Sequence, residues 1–593
     1  MKRKIVLILI VFLLAMPLQG VSADPALPPG VTHSHGLWVV VPLNQSPDDV
    51  QRIQAVVDLA APGDTVQLAS GTFDFGDFGN VRIAKDLTLE GSWDARSKEP
   101  LTLIKHGFAP VLIGRKTPLV TPELETVDGH SYYHITKDIW GKLQYPFTYP
   151  GAENYDIHTD WVPVQVNVRQ IAFERPYMSA IYSGAMNGGV IERVRIHSAW
   201  QAQLDYEQGG SAATGIAWFN DSFLTRAVAE WGRDYNPDLY FGTDLVRGNL
   251  VVRDVFIDGA ASEVGASQVD ENGYPILVSY ADSPVPPGSQ YEQYALQDVA
   301  FAWEDTGYPV LESIQPYWVK KGYTAWSYGT DVWASTGIWA GVYSLFAQSN
   351  LTVKDSIIQD CSSAFFFLEN GFAGAPFTAF IEGNQITPAV TAGWGAGLFD
   401  LGWDHYIPAT GQVLSASPGS FITARNNTFT IRNEGLWLDP VVDIAMYGKA
   451  VMQGNRFDLA SGVAFYLGYP AQATTLIANR VSGKGDYAAN VDAGANENVL
   501  LANDLSDFEP TGSGASWLGI PPAQLLLQSD NNKVVGGPRS SDQVVWDLGS
   551  NNVVIGMIHQ FPGAADASQS RAVPQGKGVA KDMGKKGWLH PGW

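Results

Sequence analysis

Five short copies of one pattern decide the fold: Ile-Glu-Gly-Asn-Gln-Ile at 381–386, Ala-Arg-Asn-Asn-Thr-Phe at 424–429, Met-Gln-Gly-Asn-Arg-Phe at 452–457, Leu-Ile-Ala-Asn-Arg-Val at 476–481 and Leu-Leu-Ala-Asn-Asp-Leu at 500–505. Each copy has the form apolar-x-x-Asn-x-apolar, and successive Asn positions lie 43, 28, 24 and 24 residues apart. The Asn pairs at 531–532 and 551–552 each precede a β-branched run, and we expect them to extend the series by 29 and 20 residues. Self-similarity at such a period indicates a repeat architecture.

The period fits one coil made of three short strands and three turns. In such a coil one face of each strand points into a continuous core. A turn Asn tolerates the left-handed region, and it can share amide hydrogen bonds with the Asn of the next coil. Leucine-rich repeats need a Leu-x-x-Leu-x-Leu signature, which is absent, and transmembrane barrels need longer alternating strands. The sequence therefore predicts an all-β solenoid, a single-stranded parallel β-helix.

The opening of the chain resembles a known superfamily. Residues 53–66 read Ile-Gln-Ala-Val-Val-Asp-Leu-Ala-Ala-Pro-Gly-Asp-Thr-Val, followed by Ser-Gly-Thr-Phe at 70–73 and Leu-Thr-Leu-Glu-Gly at 87–91. This order is similar to the start of right-handed parallel β-helix proteins of the pectate-lyase superfamily: a short helix, a Pro-Gly-Asp turn, a first strand and a Gly-Thr-aromatic turn. The resemblance implies a right-handed solenoid and names no single activity.

The residues themselves also predict a helix at this point. Ser46 can cap its amino terminus, with Pro47 at the first helical position. Helical spacing places four apolar residues on one face: Ile53, Val56, Val57 and Ala60. Such a helix would cap the open apolar end of the solenoid.

The chain is expected to divide into four parts. Basic residues, an apolar run and Val21-Ser22-Ala23 make residues 1–23 a signal peptide, which predicts a secreted or periplasmic protein. Residues 24–45 form an amino-terminal extension, and residues 46–560 form the β-helix, with insertions at about 115–165 and 260–345. The Gly-, Pro- and Lys-rich residues 561–593 form a flexible tail.

Charge and composition narrow the function. The chain has 37 Lys and Arg and 60 Asp and Glu, a net charge of −23; without the leader, 34 basic and 60 acidic residues give −26. This balance argues against nucleic acid or an anionic membrane surface as a partner. The mature part has no apolar run long enough to insert into a membrane. Cys361 is the sole cysteine, which excludes an intramolecular disulfide, and its apolar surroundings predict a small buried residue.

Both insertions are rich in aromatic residues. Exposed Trp faces can stack on sugar rings, so the candidates for substrate binding are Trp303, Trp318, Trp326 and Trp333. The alternative is that these rings pack against the outside of the solenoid. The second insertion also contains four candidate catalytic residues, for which a solvated loop is the competing interpretation: Asp298, Glu304, Asp305 and Lys320.

Arg195 and His197 are the other catalytic candidates. With Arg193 they alternate along one predicted strand, so all three are expected on its outer face, where simple solvation also explains them. The resemblance implies β-elimination or hydrolysis of uronate-containing polysaccharides, with Ca²⁺ as the expected cation for elimination. The known signatures fit poorly: Trp403-Asp404-His405 lacks the Ile of the pectate-lyase motif, and Asp128-Gly129-His130 is not the Gly-His-Gly of polygalacturonases.

Two functions follow from these expectations. The first is a protein that engages an extracellular or acidic polysaccharide as a lyase or hydrolase. The alternative is a non-catalytic surface or periplasmic protein that uses the solenoid as a scaffold for binding.

Overall fold

The computed structural model describes part of the 593-residue chain. The described residues are 27–43, 48–76, 79–107, 109–116, 123–127, 130–134, 162–174, 176, 179–197, 214–219, 248–259, 263–266, 324–328, 331–335, 340–345, 350–361, 364–369, 377–387, 398–400, 405–407, 412–414, 419–432, 440–444, 448–469, 471–512 and 520–562.

Three long sheets dominate this part of the chain, with strands numbered in chain order. Sheet one contains β1 (Val31–Ser34), β2 (Leu37–Val40), β3 (Thr65–Leu68), β6 (Leu87–Glu90), β13 (Val166–Arg169), β16 (Gly188–Glu192), β19 (Asn249–Arg253), β25 (Asn350–Lys354), β28 (Thr378–Glu382), β33 (Phe421–Arg425), β36 (Lys449–Gln453), β39 (Thr475–Ile477), β42 (Val499–Leu501), β45 (Lys533–Val535) and β47 (Val553–Ile555).

Sheet two contains β5 (Val81–Ile83), β10 (Val111–Ile113), β15 (Ser179–Ser183), β18 (Thr214–Phe219), β24 (Ala340–Leu345), β27 (Ala364–Glu369), β30 (Leu398–Asp400), β35 (Val442–Ile444), β38 (Val463–Leu467), β41 (Tyr487–Val491), β44 (Leu525–Leu527), β46 (Val544–Asp547) and β48 (Ile558–Gln560). Sheet three contains β4 (Gly71–Asp74), β9 (Thr102–Lys105), β14 (Ile171–Glu174), β17 (Arg195–His197), β20 (Phe256–Asp258), β26 (Ile357–Gln359), β29 (Gln385–Thr387), β34 (Thr428–Ile431), β37 (Arg456–Leu459), β40 (Arg480–Gly485) and β43 (Asp504–Pro510).

From β3 to β44 the chain visits the sheets in a fixed order: sheet one, then sheet three, then sheet two, and back to sheet one in the next coil. From β45 to β48 the described strands alternate between sheets one and two. Consecutive strands of each sheet pair in parallel, apart from the antiparallel pair β1–β2. Inward-facing aliphatic residues of all three sheets form one continuous core. The protein is therefore a parallel β-helix, as the repeat predicts.

The predicted stacking of Asn residues is confirmed at the corner between sheets one and three. Each side chain donates from Nδ2 to Oδ1 of the Asn in the following coil at 2.9–3.0 Å, in the order Asn384, Asn427, Asn455, Asn479 and Asn503. The left-handed residue of each corner is the one before the ladder Asn, for example Gly454 at φ 63° and Ala478 at φ 52°. Asn is thus required for its amide hydrogen bonds rather than for its backbone freedom.

The prediction that Asn532 and Asn552 extend this series is wrong. They lie at the opposite end of the sheet-one strands, just before β45 and β47, in a second ladder that starts from Asn498. Asn498 donates to Asn532 at 3.3 Å, and Asn532 donates to Asn552 at 3.2 Å. Both corners need a buried amide, so the two ladders look alike in the sequence.

The amino-terminal cap is a helix, α1 (Asp48–Leu59), that closes the first coil. The four apolar residues predicted for its inner face are all buried. Arg52 donates to the backbone oxygens of Pro29 at 2.6 Å and Val41 at 2.7 Å and pairs with buried Asp49. The predicted capping helix is confirmed, whereas Ser46 and Pro47 lie outside the described residues.

The two long insertions leave the solenoid at different corners. The first connects β10 of sheet two to β13 of sheet one, and the second connects β20 of sheet three to β24 of sheet two. Small antiparallel pairings stand apart from the long sheets: β7 (Trp93–Asp94) with β8 (Glu99–Pro100), β11 (Glu123–Val127) with β12 (His130–His134), β21 (Glu263–Ala266) and β22 (Thr324–Tyr328) with β23 (Asp331–Ser335), and β31 (His405–Ile407) with β32 (Gln412–Leu414).

Two further sequence expectations can be checked in the described residues. Cys361 is 1% exposed, and burial raises the pKa of its thiol well above the usual range, so the prediction of a buried, unreactive cysteine is confirmed. Among the helices of these ranges, none has the length and apolar character needed to cross a membrane.

Candidate functional site

Arg195 and His197 lie on β17, on the outer face of sheet three. Ile196 between them is fully buried, so the alternation predicted for these residues holds. The prediction that Arg193 shares their strand is wrong. Arg193 has a φ of 54° and occupies the left-handed corner position between β16 and β17, because the solenoid turns there as it does before each ladder Asn.

Arg195 is engaged on several sides. Its guanidinium lies 5.6 Å from the ring centroid of Trp93, and its Nε donates to Glu99 Oε2 at 3.2 Å. Its Nη1 donates to the backbone oxygen of Asp254 at 2.9 Å. The side chain, 18% exposed, therefore fastens the β7–β8 hairpin to a corner of the solenoid. A guanidinium held in this way is poorly suited to take a proton from a substrate.

His197 forms the more reactive arrangement. Its Nδ1 lies 3.2 Å from Oδ2 of Asp258, its register partner on β20, and its side chain is 53% exposed. A carboxylate at Nδ1 holds an imidazole in one orientation, an arrangement used in general acid–base chemistry. The sequence analysis missed Asp258, although aligning Ile196-His197 with Ile257-Asp258 as equivalent positions of two coils would have found it.

Asp360 adds a second carboxyl group near this pair. Burial raises the pKa of Asp360, the negative charge of Asp258 raises it further, and the positive charge of Arg432 opposes both effects. Asp360 occupies a left-handed corner position directly after β26. The His197 face thus contains an oriented imidazole and a carboxyl group that is harder to ionise than usual.

The remaining predicted residues are not brought to this face. Asp298, Glu304, Asp305, Lys320, Trp303 and Trp318 lie outside the described residues. Trp326 on β22 and Trp333 on β23 are paired in register with each other. Their insertion begins just beyond Asp258, so chain connectivity alone links them to the His197 face.

The outer face of sheet two changes character along the solenoid. One row of register partners runs through Leu112, Tyr182, Ala217 and Tyr343, all of which are buried. Further along, the same row contains Asp400, Asp443, Tyr466 and Asn490. In this second part Asp443, Tyr466 and Asn490 are half-buried, so polar groups of neighbouring coils line an accessible face.

Tyr466 is the centre of this polar row. Its hydroxyl donates to Oδ2 of Asp492 at 2.7 Å. Burial raises the pKa of Tyr466 well above the usual value, followed by the charge of Asp492, the hydrogen bond to it and the charge of Asp443. The hydroxyl therefore stays protonated and donates its hydrogen bond to Asp492.

An exposed ring lies beside this group. Tyr469 is 54% exposed, and a Cβ added to Gly494 would lie 2.7 Å from Cδ2 of its ring. The ring thus rests on Gly494, two residues beyond Asp492. Gln528, which follows the neighbouring strand β44, donates to Oδ1 of Asn490 at 3.0 Å. We name Asp443, Tyr466, Tyr469, Asn490 and Asp492 the tyrosine cluster.

Sequence reasoning missed the tyrosine cluster, because its members are separated by a coil length and no motif joins them. Across the described ranges, no three His, Cys, Asp or Glu side chains are grouped so that they could hold a metal ion.

Comparison with known proteins finds distant solved structures and no matching sequence. No family model and no curated protein sequence matches the chain. Among solved structures, the A-module of a mannuronan C-5 epimerase from Azotobacter vinelandii is 11% identical over 87% of this chain and 96% of its own, with a TM-score of 0.32.

An alginate lyase of polysaccharide lyase family 6, solved with a trisaccharide, is 9% identical over 89% of each chain, with a TM-score of 0.33. An endo-xylogalacturonan hydrolase from Aspergillus tubingensis is 9% identical over 88% of this chain and 93% of its own, with a TM-score of 0.23. These scores are too low to transfer a site or an activity. The fold class, a parallel β-helix, stands on the strand register of this chain.

Proposed function

We propose that this protein is exported and binds a polysaccharide across the outer face of sheet two, with the tyrosine cluster as its contact site. The observation that supports this proposal is the Tyr466 hydroxyl held at 2.7 Å from Asp492, beside Asp443 and the exposed ring of Tyr469. Carboxylates accept hydrogen bonds from neighbouring sugar hydroxyls, and an aromatic face packs on the apolar face of a sugar ring. Parallel strands repeat these groups about every 4.8 Å, which suits an extended chain.

The same groups supply the elements of a reaction. Hydrolysis of a glycosidic bond uses two carboxyl groups, one as acid and one as base or nucleophile. Asp443 lies on β35, one coil before Tyr466, and Asp492 follows β41, one coil beyond Tyr466. Elimination would instead require a base and a cation that neutralises the uronate. The acidic cluster therefore favours hydrolysis, and an acidic polysaccharide would need a cation between its carboxylates and those of the protein.

Non-catalytic binding is the second candidate function. The observation that favours it is the engagement of Arg195 by Trp93, Glu99 and Asp254, which removes the predicted basic residue from the chemistry. A scaffold of this kind would retain a polysaccharide and release no product.

The test uses the mature chain against neutral and uronate-containing polysaccharides, with and without Ca²⁺. Retention on immobilised polysaccharide reports binding, ultraviolet absorbance reports unsaturated products, and a reducing-end assay reports hydrolysis. We expect Tyr466→Phe and Asp492→Asn to weaken binding about tenfold or more, since each removes a hydrogen bond to a charged group. Reducing ends without ultraviolet absorbance would identify a hydrolase, and binding without product would identify the scaffold.

Asp458→Asn is the matched control, because Asp458 is an exposed carboxylate on β37, the strand just before β38. It should bind as the unaltered protein does. Equal binding by all variants, or no binding to any polysaccharide, would refute the proposed site.

A further inference from the structure

One outward row of sheet one changes from charged to aliphatic along the solenoid. From Gln67 the register partners are Glu90, Arg169, Glu192, Arg253, Lys354, Glu382, Arg425 and Gln453. After Gln453 the row continues as Ile477, Leu501, Val535 and Ile555. We name these last four residues the aliphatic strip. Inward-facing residues lie beside them in each strand, so the strip does not belong to the core.

The strip leads to an open end. Ile555 is 52% exposed and Val553 49% exposed on β47, the last strand of sheet one. Ile558 and Phe561, on and after β48, are 40% and 56% exposed. The amino-terminal end is covered by α1, whereas among the described residues no strand or helix lies beyond β47 and β48. Exposed apolar edges of this kind are normally covered by another segment.

The size of the strip indicates what kind of partner can cover it. Four strands spaced about 4.8 Å apart make it about 15 Å long, and it is a single side chain wide. A stable interface between two copies buries about 800 Å² on each partner, several times what the strip offers. A short extended or turned segment of chain matches it better.

Residues 563–593 supply such a segment, since they follow directly from this end of the solenoid. They contain five basic and two acidic residues, a net charge of +3, whereas residues 440–562 contain six basic and eleven acidic residues, a net charge of −5. Their large apolar residues include Trp588, Leu589 and Trp593. A chain of this length reaches on the order of 100 Å when extended, well beyond the strip. Tethering at that end also raises the effective concentration of the segment to the millimolar range.

We propose that residues 563–593 fold back over the aliphatic strip, with Trp588, Leu589 and Trp593 packed on Leu501, Val535 and Ile555. The docked segment covers the aliphatic strip of sheet one. It does not cover the tyrosine cluster, which belongs to sheet two. Docking of the segment and binding of a polysaccharide therefore involve different surfaces. An experiment can refute one of these two proposals without refuting the other.

Trypsin cleavage of the full chain tests the docking, because the segment contains Lys577, Lys581, Lys585 and Lys586. The double variant Val535→Thr, Ile555→Thr keeps β-branched residues in the strands and removes apolar contact. We expect cleavage at these lysines to become about tenfold faster in that variant and in Trp588→Ser, Trp593→Ser. Val251→Thr, at a half-buried outward position on β19, is the control and should leave the rate unchanged.

Hydrogen exchange gives an independent readout. Removal of residues 563–593 should accelerate exchange of the backbone amides of Val553 and Ile555 and leave that of β36 unchanged. Equal trypsin rates in the unaltered protein and both double variants would overturn the proposal. So would a dimer, detected by light scattering, that dissociates in the Val535→Thr, Ile555→Thr variant, because the occupant would then be a second copy.

Discussion

Buried amides at the corners hold neighbouring coils in register. Asn455 donates from Nδ2 to the backbone oxygen of Ala424 and to Oδ1 of Asn479, each at 3.0 Å, and its Oδ1 accepts from the side chain and backbone nitrogens of Asn427. Each of these groups is shielded from water. A buried polar group without a partner costs far more than an average hydrogen bond yields. The loss of a buried ladder Asn should therefore destabilise the protein more than the loss of an exposed Asn.

We expect Asn455→Ala to destabilise the coils around β36 by about 2–4 kcal/mol, since it leaves several buried polar groups without partners. Hydrogen exchange at β36 and β39, read as a free energy of local opening, measures this change. Asn531→Gly is the control: Asn531 is exposed and occupies a left-handed corner position at φ 59°, which glycine adopts readily. A similar loss in both variants would show that the ladder contributes nothing special.

Asp360 makes the stability of the protein depend on pH. Its pKa is raised in the folded chain, so its contribution is fully present below the ordinary value of 3.8 and is lost as the pH rises through the folded pKa. Asp360→Asn removes the charge and keeps a residue that tolerates the left-handed corner at φ 51°.

The Asn variant should therefore be more stable than the unaltered protein at neutral pH, and the difference should vanish below about pH 4. Urea concentrations at half-unfolding, measured between about pH 3 and pH 7, report it. A variant that loses stability at neutral pH would show that attraction to Arg432 outweighs burial and the charge of Asp258.

At the scale of strands, the charged row of sheet one contains ion pairs between neighbouring coils that differ in their exposure to water. Glu192 lies between Arg169, at 3.1 Å from its Nε, and Arg253, at 2.6 Å from its Nε, and is 8% exposed. Glu382 pairs with Arg425 at 2.6 Å, with a side chain 28% exposed. The first carboxylate is shared by two cations in a shielded place, and the second pairs with one cation nearer to water.

Glu192→Gln is expected to cost about 1–3 kcal/mol in the local stability of β13, β16 and β19, because two guanidinium groups lose their common partner. Glu382→Gln should cost less than about 1 kcal/mol, as exposed pairs do. Exchange rates of amides in these strands compare the two variants directly. Equal costs would mean that shielding of Glu192 is unimportant.

The repeat predicted the strands well because each apolar-x-x-Asn-x-apolar copy contains a sheet-one strand end, a corner and the start of a sheet-three strand. It could not separate the two Asn ladders, since Asn503 and Asn532 occupy different corners with the same chemistry. Nor could it place Arg193 in a corner, because upstream copies have other residues in place of the ladder Asn. Groups joined across coils, such as His197 with Asp258, are 61 residues apart, and only a full alignment of coils brings them together.

At the scale of the whole molecule, the polar and apolar surface groups described above are divided among the three sheets. Sheet three has the His197–Asp258 pair, sheet two the tyrosine cluster, and sheet one the charged row and the aliphatic strip. The two insertions leave the solenoid from different corners. Chain connectivity alone therefore does not place them side by side on one face. Stacking of Trp303 and Trp318 on sugar rings stays a prediction, since both residues lie outside the described part of the chain.

A solenoid transmits stability only between neighbouring coils, so damage to one end should stay local. Arg52→Met removes the cation that pairs with buried Asp49 and the two hydrogen bonds that tie α1 to Pro29 and Val41. An uncompensated buried charge costs about 3–5 kcal/mol, which should open α1, β2 and β3.

Hydrogen exchange should therefore rise in these elements while β36, β39 and β42 keep the protection they have in the unaltered protein. Asp58→Asn, at an exposed position of the same helix that accepts from Gln54, is the control and should leave both ends unchanged. Faster exchange throughout the chain after Arg52→Met would mean that the coils unfold as one cooperative unit. The amino-terminal cap would then stabilise the tyrosine cluster as well as the first coils.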